Sequence, residues 1–294
     1  MARVTLAPVE LPQNVAVVGA GTMGAGIARV FADAGASIRL CARRETSLEA
    51  ARDRLGDAAA GVTLTTSLDE AASGVGLAIE TIVEEVDAKR AVLARAEELA
   101  SHDAILATNT SSLPLAALSS GLERPERFAG LHWFNPPELV ELVEVVGGER
   151  TAPETLETLA GWMDTLGKVP VVVRQDVPGF VVNRLQYALL REAYALVDSG
   201  VCSFADVDRA VTHSLGPRWA AIGPFEAMDL AGLDVHAAVA ANLWPELSNT
   251  TEPSPSIAEA LKSGRELRGD TPPEVLKDRR DRVLRGLPAL REDV

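Results

Sequence analysis

Residues 14–44 constrain the fold more than any other stretch. Asn14 opens the run Val15-Ala16-Val17-Val18, and Gly19-Ala20-Gly21-Thr22-Met23-Gly24 follows at once. A short, mostly β-branched apolar run of this kind is a strand buried on both faces of a parallel sheet. Met23 to Ala34 has no proline and mixes helix formers with small residues; Gly35 stops the helix, and a second apolar run, Ser37 to Ala42, follows. Strand, glycine turn, helix and strand within about 30 residues is the setting in which GxGxxG holds a dinucleotide. Gly19 permits the tight turn, Gly21 leaves the backbone bare to a pyrophosphate, and Gly24 lets the helix pack closely on the strand. Thr22 and Met23, at the helix start, would turn free N–H groups and the positive end of the helix dipole toward phosphate. The plainer alternative is a glycine turn that binds no nucleotide.

At 294 residues the chain is long enough for two domains. A net charge of −14 offers no basic footprint for nucleic acid, although local arginines and helix ends can still hold a small anion. The two cysteines, Cys41 and Cys202, supply no disulfide framework, which fits a reducing cytoplasm, and Cys41 reads as a small core residue of the second strand. No apolar run approaches the ~20 residues of a membrane span, and Met1 to Glu10 lacks the features of a signal peptide. The expectation is a cytoplasmic protein with a small-molecule partner, binding neither nucleic acid nor membrane and holding no metal.

Ahead of Val177 the chain alternates between the two periods. Helices are expected at Glu49–Ala60, Leu68–Ala72, Asp87–Leu99 and Thr155–Leu166, with a further one starting at Pro114. Strands are expected at Leu64–Ser67, Val75–Val83, Ala104–Thr108, Phe128–Phe134, Leu139–Val146 and Val169–Val173. Beyond the breaker Asp176-Val177-Pro178-Gly179 the strands disappear. Helical segments follow at Phe180–Ser199, Phe204–Leu215, Phe225–Ala241, Ser256–Gly264 and Pro273–Arg285. The expected architecture is an α/β, Rossmann-like doubly wound sheet over residues 1–177, and an all-helical domain over 178–294 whose apolar faces are expected to be buried against the first domain or a second subunit.

Three places carry chemistry. After the second strand, where an acid usually binds the ribose 2′-OH of NAD, this chain has Ala42 followed by Arg43-Arg44; two guanidiniums with no acid favour the 2′-phosphate of NADP. The alternative is a solvated pair at a helix start. Asn109-Thr110-Ser111-Ser112 lies beyond the carboxyl end of a strand, where open α/β sheets bind ligands, so Asn109 and Ser111 are candidates for nicotinamide or substrate, with helix capping as their structural alternative. Glu144 sits among Leu and Val in a strand, where a carboxylate needs a partner, and His132 is the natural one of four histidines.

These residues resemble the 3-hydroxyacyl-CoA dehydrogenase superfamily. The matching stretches are Gly19-x-Gly21-x-x-Gly24, Asn109-Thr110-Ser111-Ser112, Gly130-Leu131-His132-Trp133-Phe134-Asn135-Pro136, Pro178-Gly179-Phe180-x-x-Asn183-Arg184 and Gly223-Pro224-Phe225-Glu226. The resemblance implies His132 as catalytic base and Glu144 as its orienting carboxylate. It implies Ser111 and Asn183 at the substrate oxygen, Glu84 and Lys89 near the nicotinamide ribose, and a homodimer formed through the helical domain. The implied reaction is hydride transfer between NAD(P) and the 3-hydroxyl of a 3-hydroxy acid or its thioester, the histidine taking the hydroxyl proton.

The chain departs from the acyl-CoA members at Ala42, in the short lysine-free segment Glu45–Gly61, and at its C-terminal sequence, where Asp278-Arg279-Arg280-Asp281-Arg282 stands in place of a Gly-Phe-Tyr ending. In this it is more similar to the branch of λ-crystallin and L-gulonate dehydrogenase, which implies a free carboxylate in place of the thioester. Ser111, Asn183, Arg184 or Arg218 would meet that carboxylate, and Trp219 would wall the pocket. An NAD-linked acyl-CoA enzyme, a carrier-protein thioester as substrate, and a non-catalytic crystallin-like protein are the alternatives.

Overall fold

A sheet of eight strands in the order β3-β2-β1-β4-β5-β6-β7-β8 organises the first part of the chain. The structure, a computed structural model, describes residues 9–264, 266–267 and 271–292; residues 1–8 and 293–294, the outer ends of the two expected domains, lie outside them. The strands are β1 Asn14–Val18, β2 Ser37–Cys41, β3 Val62–Thr65, β4 Leu77–Glu80, β5 Ile105–Thr108, β6 Phe128–Trp133, β7 Leu142–Val146 and β8 Val169–Val173. All neighbours are parallel except β6 and β7. The crossover helices are α1 Thr22–Asp33, α2 Glu45–Leu55, α3 Leu68–Ala72, α4 Val86–Leu99, α5 Leu115–Ser119 and α6 Pro153–Thr165.

The sheet is doubly wound. One core holds Val15, Val17, Leu40 and Ile79 against Ile27 and Phe31 of α1, Leu48 of α2 and Met163 of α6. The other holds Ala16, Ala78 and Leu106 against Leu93 of α4 and Leu118 of α5. Successive residues of each strand point to opposite faces, so both faces must be apolar, which is why these strands read as continuous hydrophobic runs.

The structure corrects several expected boundaries. β4 ends at Glu80 rather than Val83, because the Glu80 carboxylate turns back to accept the Ile82 N–H at 2.6 Å. β7 begins at Leu142, since the N–H groups of Leu139 and Val140 are taken by the Pro136 carbonyl in a turn. α2 starts at Glu45 and stops at Gly56, whose φ of 54° breaks it into a 3-10 turn over Gly56–Gly61.

The chain divides into two compact units, Met1–Val182 and Asn183–Val294. The division falls slightly beyond Val177 because Phe180 is buried in the second core of the sheet. The second unit is helical: α7 Val182–Asp198, α8 Phe204–Ala210, α9 Gly216–Ala221, α10 Pro224–Ala231, α11 Leu233–Leu243, α12 Pro255–Ser263 and α13 Pro273–Glu292. The expected helix Phe225–Ala241 is two helices, broken at Gly232 with φ 92°. The stretch expected as Phe204–Leu215 runs from α8 into one π turn, Val211–Leu215, just ahead of Gly216-Pro217. Proline has no N–H to donate, and such widened turns accommodate the missing bond. Among the described residues no helix is long and apolar enough to cross a membrane.

Candidate active site

The glycine turn shows three different demands. Gly19 has φ 117°, and its N–H reaches the Cys41 carbonyl of β2 at 2.8 Å. Its own carbonyl accepts the Thr81 hydroxyl at 2.8 Å. At Gly24 an added Cβ would stand 1.7 Å from the Gly19 oxygen, so only glycine lets α1 approach the turn. At Gly21 an added Cβ would meet nothing within 4 Å. Packing within the chain does not require glycine at 21, and its bare backbone leaves room for a group approaching from outside. α1 is capped by Gly21 with no side-chain hydrogen bond, and its first turn carries no acid, so the amides at Thr22 and Met23 face no competing anion. These features fit a bound pyrophosphate.

His132 and Glu144 are direct partners in the antiparallel β6–β7 register, which puts their side chains on the same face. His132 Nδ1 lies 2.7 Å from Glu144 Oε2. Glu144 Oε1 accepts the N–H groups of Val181 and Val182 at 2.8 and 2.9 Å. The carboxylate is 0% exposed and the histidine 5%. Burial alone would raise Glu144; the histidine and the two backbone donors outweigh it and hold the carboxyl below its usual range. Three charge-assisted bonds at about 1.5–3 kcal/mol each are of the size needed to offset the several kcal/mol of burying the charge. An ionised Glu144 accepts only, so Nδ1 carries a proton, and in the neutral ring the lone pair is on Nε2. Nε2 has no partner among the described residues. Phe134 and Phe180 pack on the ring at centroid distances of 4.5 and 5.5 Å. Phe180 takes φ 49°, which costs about 1–2 kcal/mol for a residue other than glycine. Its burial and the bonds from the following N–H groups to Glu144 maintain that turn.

Beside this pair the ends of β4 and β5 carry a second polar cluster. Glu84 Oε1 accepts the Thr110 hydroxyl, the N–H groups of Ser111 and Ser112 at 3.1 and 3.3 Å, and the Ser112 hydroxyl. Asn109 Oδ1 accepts the Trp133 N–H at 2.9 Å, joining the end of β5 to β6.

Two family models cover nearly the whole of this arrangement. Residues 14–177 match the 3-hydroxyacyl-CoA dehydrogenase NAD binding domain and residues 179–275 match the 3-hydroxyacyl-CoA dehydrogenase C-terminal domain. The chain belongs to the 3-hydroxyacyl-CoA dehydrogenase family. It is an oxidoreductase with a nicotinamide-cofactor domain. Among its relatives, 5-formyl-3-hydroxy-2-methylpyridine 4-carboxylate 5-dehydrogenase of Mesorhizobium japonicum is 37% identical over 268 residues, 86% of this chain and 87% of that one. The mitochondrial hydroxyacyl-coenzyme A dehydrogenase of Sus scrofa is 37% identical over 273 residues, 84% of this chain and 85% of its own. A crystal structure of the pyridine-carboxylate dehydrogenase, there called an NAD+-dependent dismutase, superposes with a TM-score of 0.87 at 34% identity, covering 95% of this chain and 97% of that one.

For this dehydrogenase the remaining expected site residues fall as follows. Arg43 and Arg44 follow β2, both exposed and with side chains that have no partner among the described residues, and Arg44 caps α2 through its carbonyl. Ser111 is exposed, its N–H held by Glu84. Lys89, expected near the nicotinamide ribose, is turned inward, 1% exposed and held by Glu80, Glu84 and the Ile82 carbonyl. Asn183 belongs to the second unit, in the first turn of α7. Cys41 is buried, and burial together with Glu70 pushes its thiol up to about 11, so it is inert at neutral pH.

Sequence reasoning missed Glu80, Thr81, Thr108 and Phe180. A signal existed for Glu80: like Glu144, it is a carboxylate inside an apolar strand, and its cation lies nine residues on. It also missed Lys168, whose buried ammonium is bound by the Pro137 and Val140 carbonyls and fastens the loop after His132.

Glu144 is depressed in the folded protein, so its stabilisation is complete above its ordinary value of 4.5 and is lost as pH falls through the lower folded one. The stability difference between wild type and Glu144→Gln is expected to shrink as pH falls below about 5 in urea unfolding at stepped pH. A difference that grows as pH falls below about 5 contradicts this electrostatic account.

Proposed function

We propose that this dehydrogenase interconverts a 3-hydroxy acid and the corresponding keto acid, with His132 as general base and Glu144 as the carboxylate that orients it. The observation that carries the reading is the Nδ1–Oε2 bond of 2.7 Å, which leaves Nε2 as the basic nitrogen. The nicotinamide, when bound, supplies the hydride chemistry. The chain's own part is the proton. As the substrate hydroxyl becomes a carbonyl its O–H bond breaks, the proton goes to Nε2, and the ionised Glu144 stabilises the resulting imidazolium. In the reverse direction the imidazolium returns the proton. Phe134 and Phe180 hold the ring in place and keep water from it. Ser111 presents its exposed hydroxyl toward the substrate oxygen, its backbone fixed by Glu84.

The cofactor is held at Gly19, Gly21 and Gly24, by the amides of Thr22 and Met23, and by Glu84 and Asn109. NADP is favoured over NAD, supported by Arg43 and Arg44 standing free where Ala42 leaves no carboxylate for a ribose 2′-OH. A free acid is favoured over a CoA ester. The segment Glu45–Gly61 has no lysine to meet a CoA phosphate, and the M. japonicum relative is named for a carboxylate substrate. The second reading is NAD-linked and favours the thioester; it is supported by the NAD+ in the crystal-structure relative's description and by the acyl-CoA name of the S. scrofa enzyme. A homodimer through the helical unit is supported by its exposed Leu185, Tyr187, Phe225, Leu230, Leu233 and Leu261. Light scattering should return twice the chain mass; a monomer contradicts it.

One set of titrations tests the reading. NADPH should bind more tightly than NADH at matched salt, and Arg43→Ala/Arg44→Ala should lose that advantage. His132→Gln should bind cofactor as wild type does but lose turnover by about 10²–10⁴-fold, the usual worth of a general base. Near wild-type turnover in His132→Gln removes the base assignment. Tighter NADH binding returns the NAD-linked reading.

A further inference from the structure

The buried ionic cluster beneath Glu84 has no part in the proton step, yet its charged atoms are fully hydrogen-bonded. Glu80 ends β4 and Thr108 ends β5, and the two are direct register partners. Glu80 is 2% exposed and Lys89, from α4, is 1% exposed. Lys89 Nζ lies 2.8 and 2.9 Å from the two Glu80 oxygens, 3.3 Å from the Ile82 carbonyl and 3.2 Å from Glu84 Oε2. Glu80 Oε2 also accepts the Thr108 hydroxyl at 2.6 Å, and Oε1 the Ile82 N–H at 2.6 Å. Every ammonium proton and both carboxylate oxygens are therefore used.

Glu84 is the member of the cluster that reaches the surface, 37% exposed. Its Oε1 gathers the 110–112 turn; its Oε2 takes only Lys89, which leaves it room to accept a further donor. A half-exposed carboxylate on a flexible side chain would ordinarily sample several rotamers. Here Lys89 fixes one oxygen and the turn fixes the other; Lys89 is itself held by Glu80 and the Ile82 carbonyl, and Thr108 holds Glu80 in turn. A buried pair adds little net stability over apolar residues of the same shape, so stability alone is a weak reason for one at this place.

The geometry points to Glu80 and Thr108 as positioning residues for the cofactor: with Lys89 they form a rigid strut that sets Glu84 and the Asn109–Ser112 turn in place before the cofactor arrives. This rests on the reading of Glu84 as a cofactor-binding residue. Pre-organisation of this kind is felt as affinity, because binding then orders nothing further.

The test separates stability from affinity. Glu80→Gln/Lys89→Met roughly keeps the volumes, leaves an amide oxygen to accept the Ile82 N–H and turns an amide NH2 toward the Thr108 hydroxyl, which can accept it, so the double variant should melt near the wild-type temperature. Its fluorescence-titrated Kd for the preferred reduced nicotinamide cofactor should nonetheless be weaker by about tenfold or more, since Glu84 is released. Thr108→Val should weaken binding in the same direction, and Thr108→Ser, which keeps the hydroxyl, should restore it. A double variant with both wild-type melting and wild-type Kd overturns the strut. Should the double variant fail to fold, the Thr108 pair decides: wild-type affinity in Thr108→Val overturns it, and weakening that Thr108→Ser rescues supports it. Glu84→Gln keeps the two failures apart. Wild-type affinity in Glu84→Gln removes the reading of Glu84 and the strut's purpose with it. Weakened binding there, beside an unaffected double variant, removes the strut alone.

Discussion

The site depends on one carboxylate kept ionised where water does not reach. Glu144 has no exposed surface, and the three groups that neutralise it come from two places far apart in the chain: the His132 ring on the neighbouring strand, and the N–H groups of Val181 and Val182 at the end of the unit. Losing any one leaves part of a buried charge unpaired, a cost of several kcal/mol. The same three bonds thus fix the histidine ring and its tautomer, and hold the unusual backbone of Phe180 against that ring. Structure and chemistry draw on one interaction, and the antiparallel β6–β7 pairing makes it possible by setting the two residues directly opposite.

The cofactor end is built on the opposite principle, by leaving side chains out. Gly24 is glycine because the Gly19 oxygen occupies the space of a Cβ, and Gly21 is glycine although nothing in the chain competes for its space. That contrast separates a glycine required by packing from one that packing does not require. Between the two ends, the carboxylates of Glu80 and Glu84 carry the order of the sheet out to the 109–112 turn through Lys89.

The parts of the fold readable in the sequence are those where a local pattern has one physical solution. The β1–α1–β2 unit was legible because apolar run, glycine spacing and helix stop all agree, and the His132–Glu144 contact because a carboxylate in an apolar strand demands a partner. Boundaries set by tertiary contacts were not. β4 stops at Glu80 through its own side chain, and the helix expected over Phe225–Ala241 breaks at Gly232 because the backbone there has positive φ, which an isolated glycine in a helical pattern does not announce. Lys89 illustrates a further limit. Its position was legible and its direction was not, because an inward lysine is tolerable only when Glu80, Glu84 and a carbonyl converge on it from elements distant in sequence.

The central claim is that Glu144 sets the protonation of His132, and nitrogen-15 NMR of the imidazole at neutral pH tests it most directly. In the neutral ring the proton is expected on Nδ1, and replacing Glu144 with Gln is expected to abolish that preference. A neutral His132 ring that carries its proton on Nε2 in the wild-type protein would contradict the account.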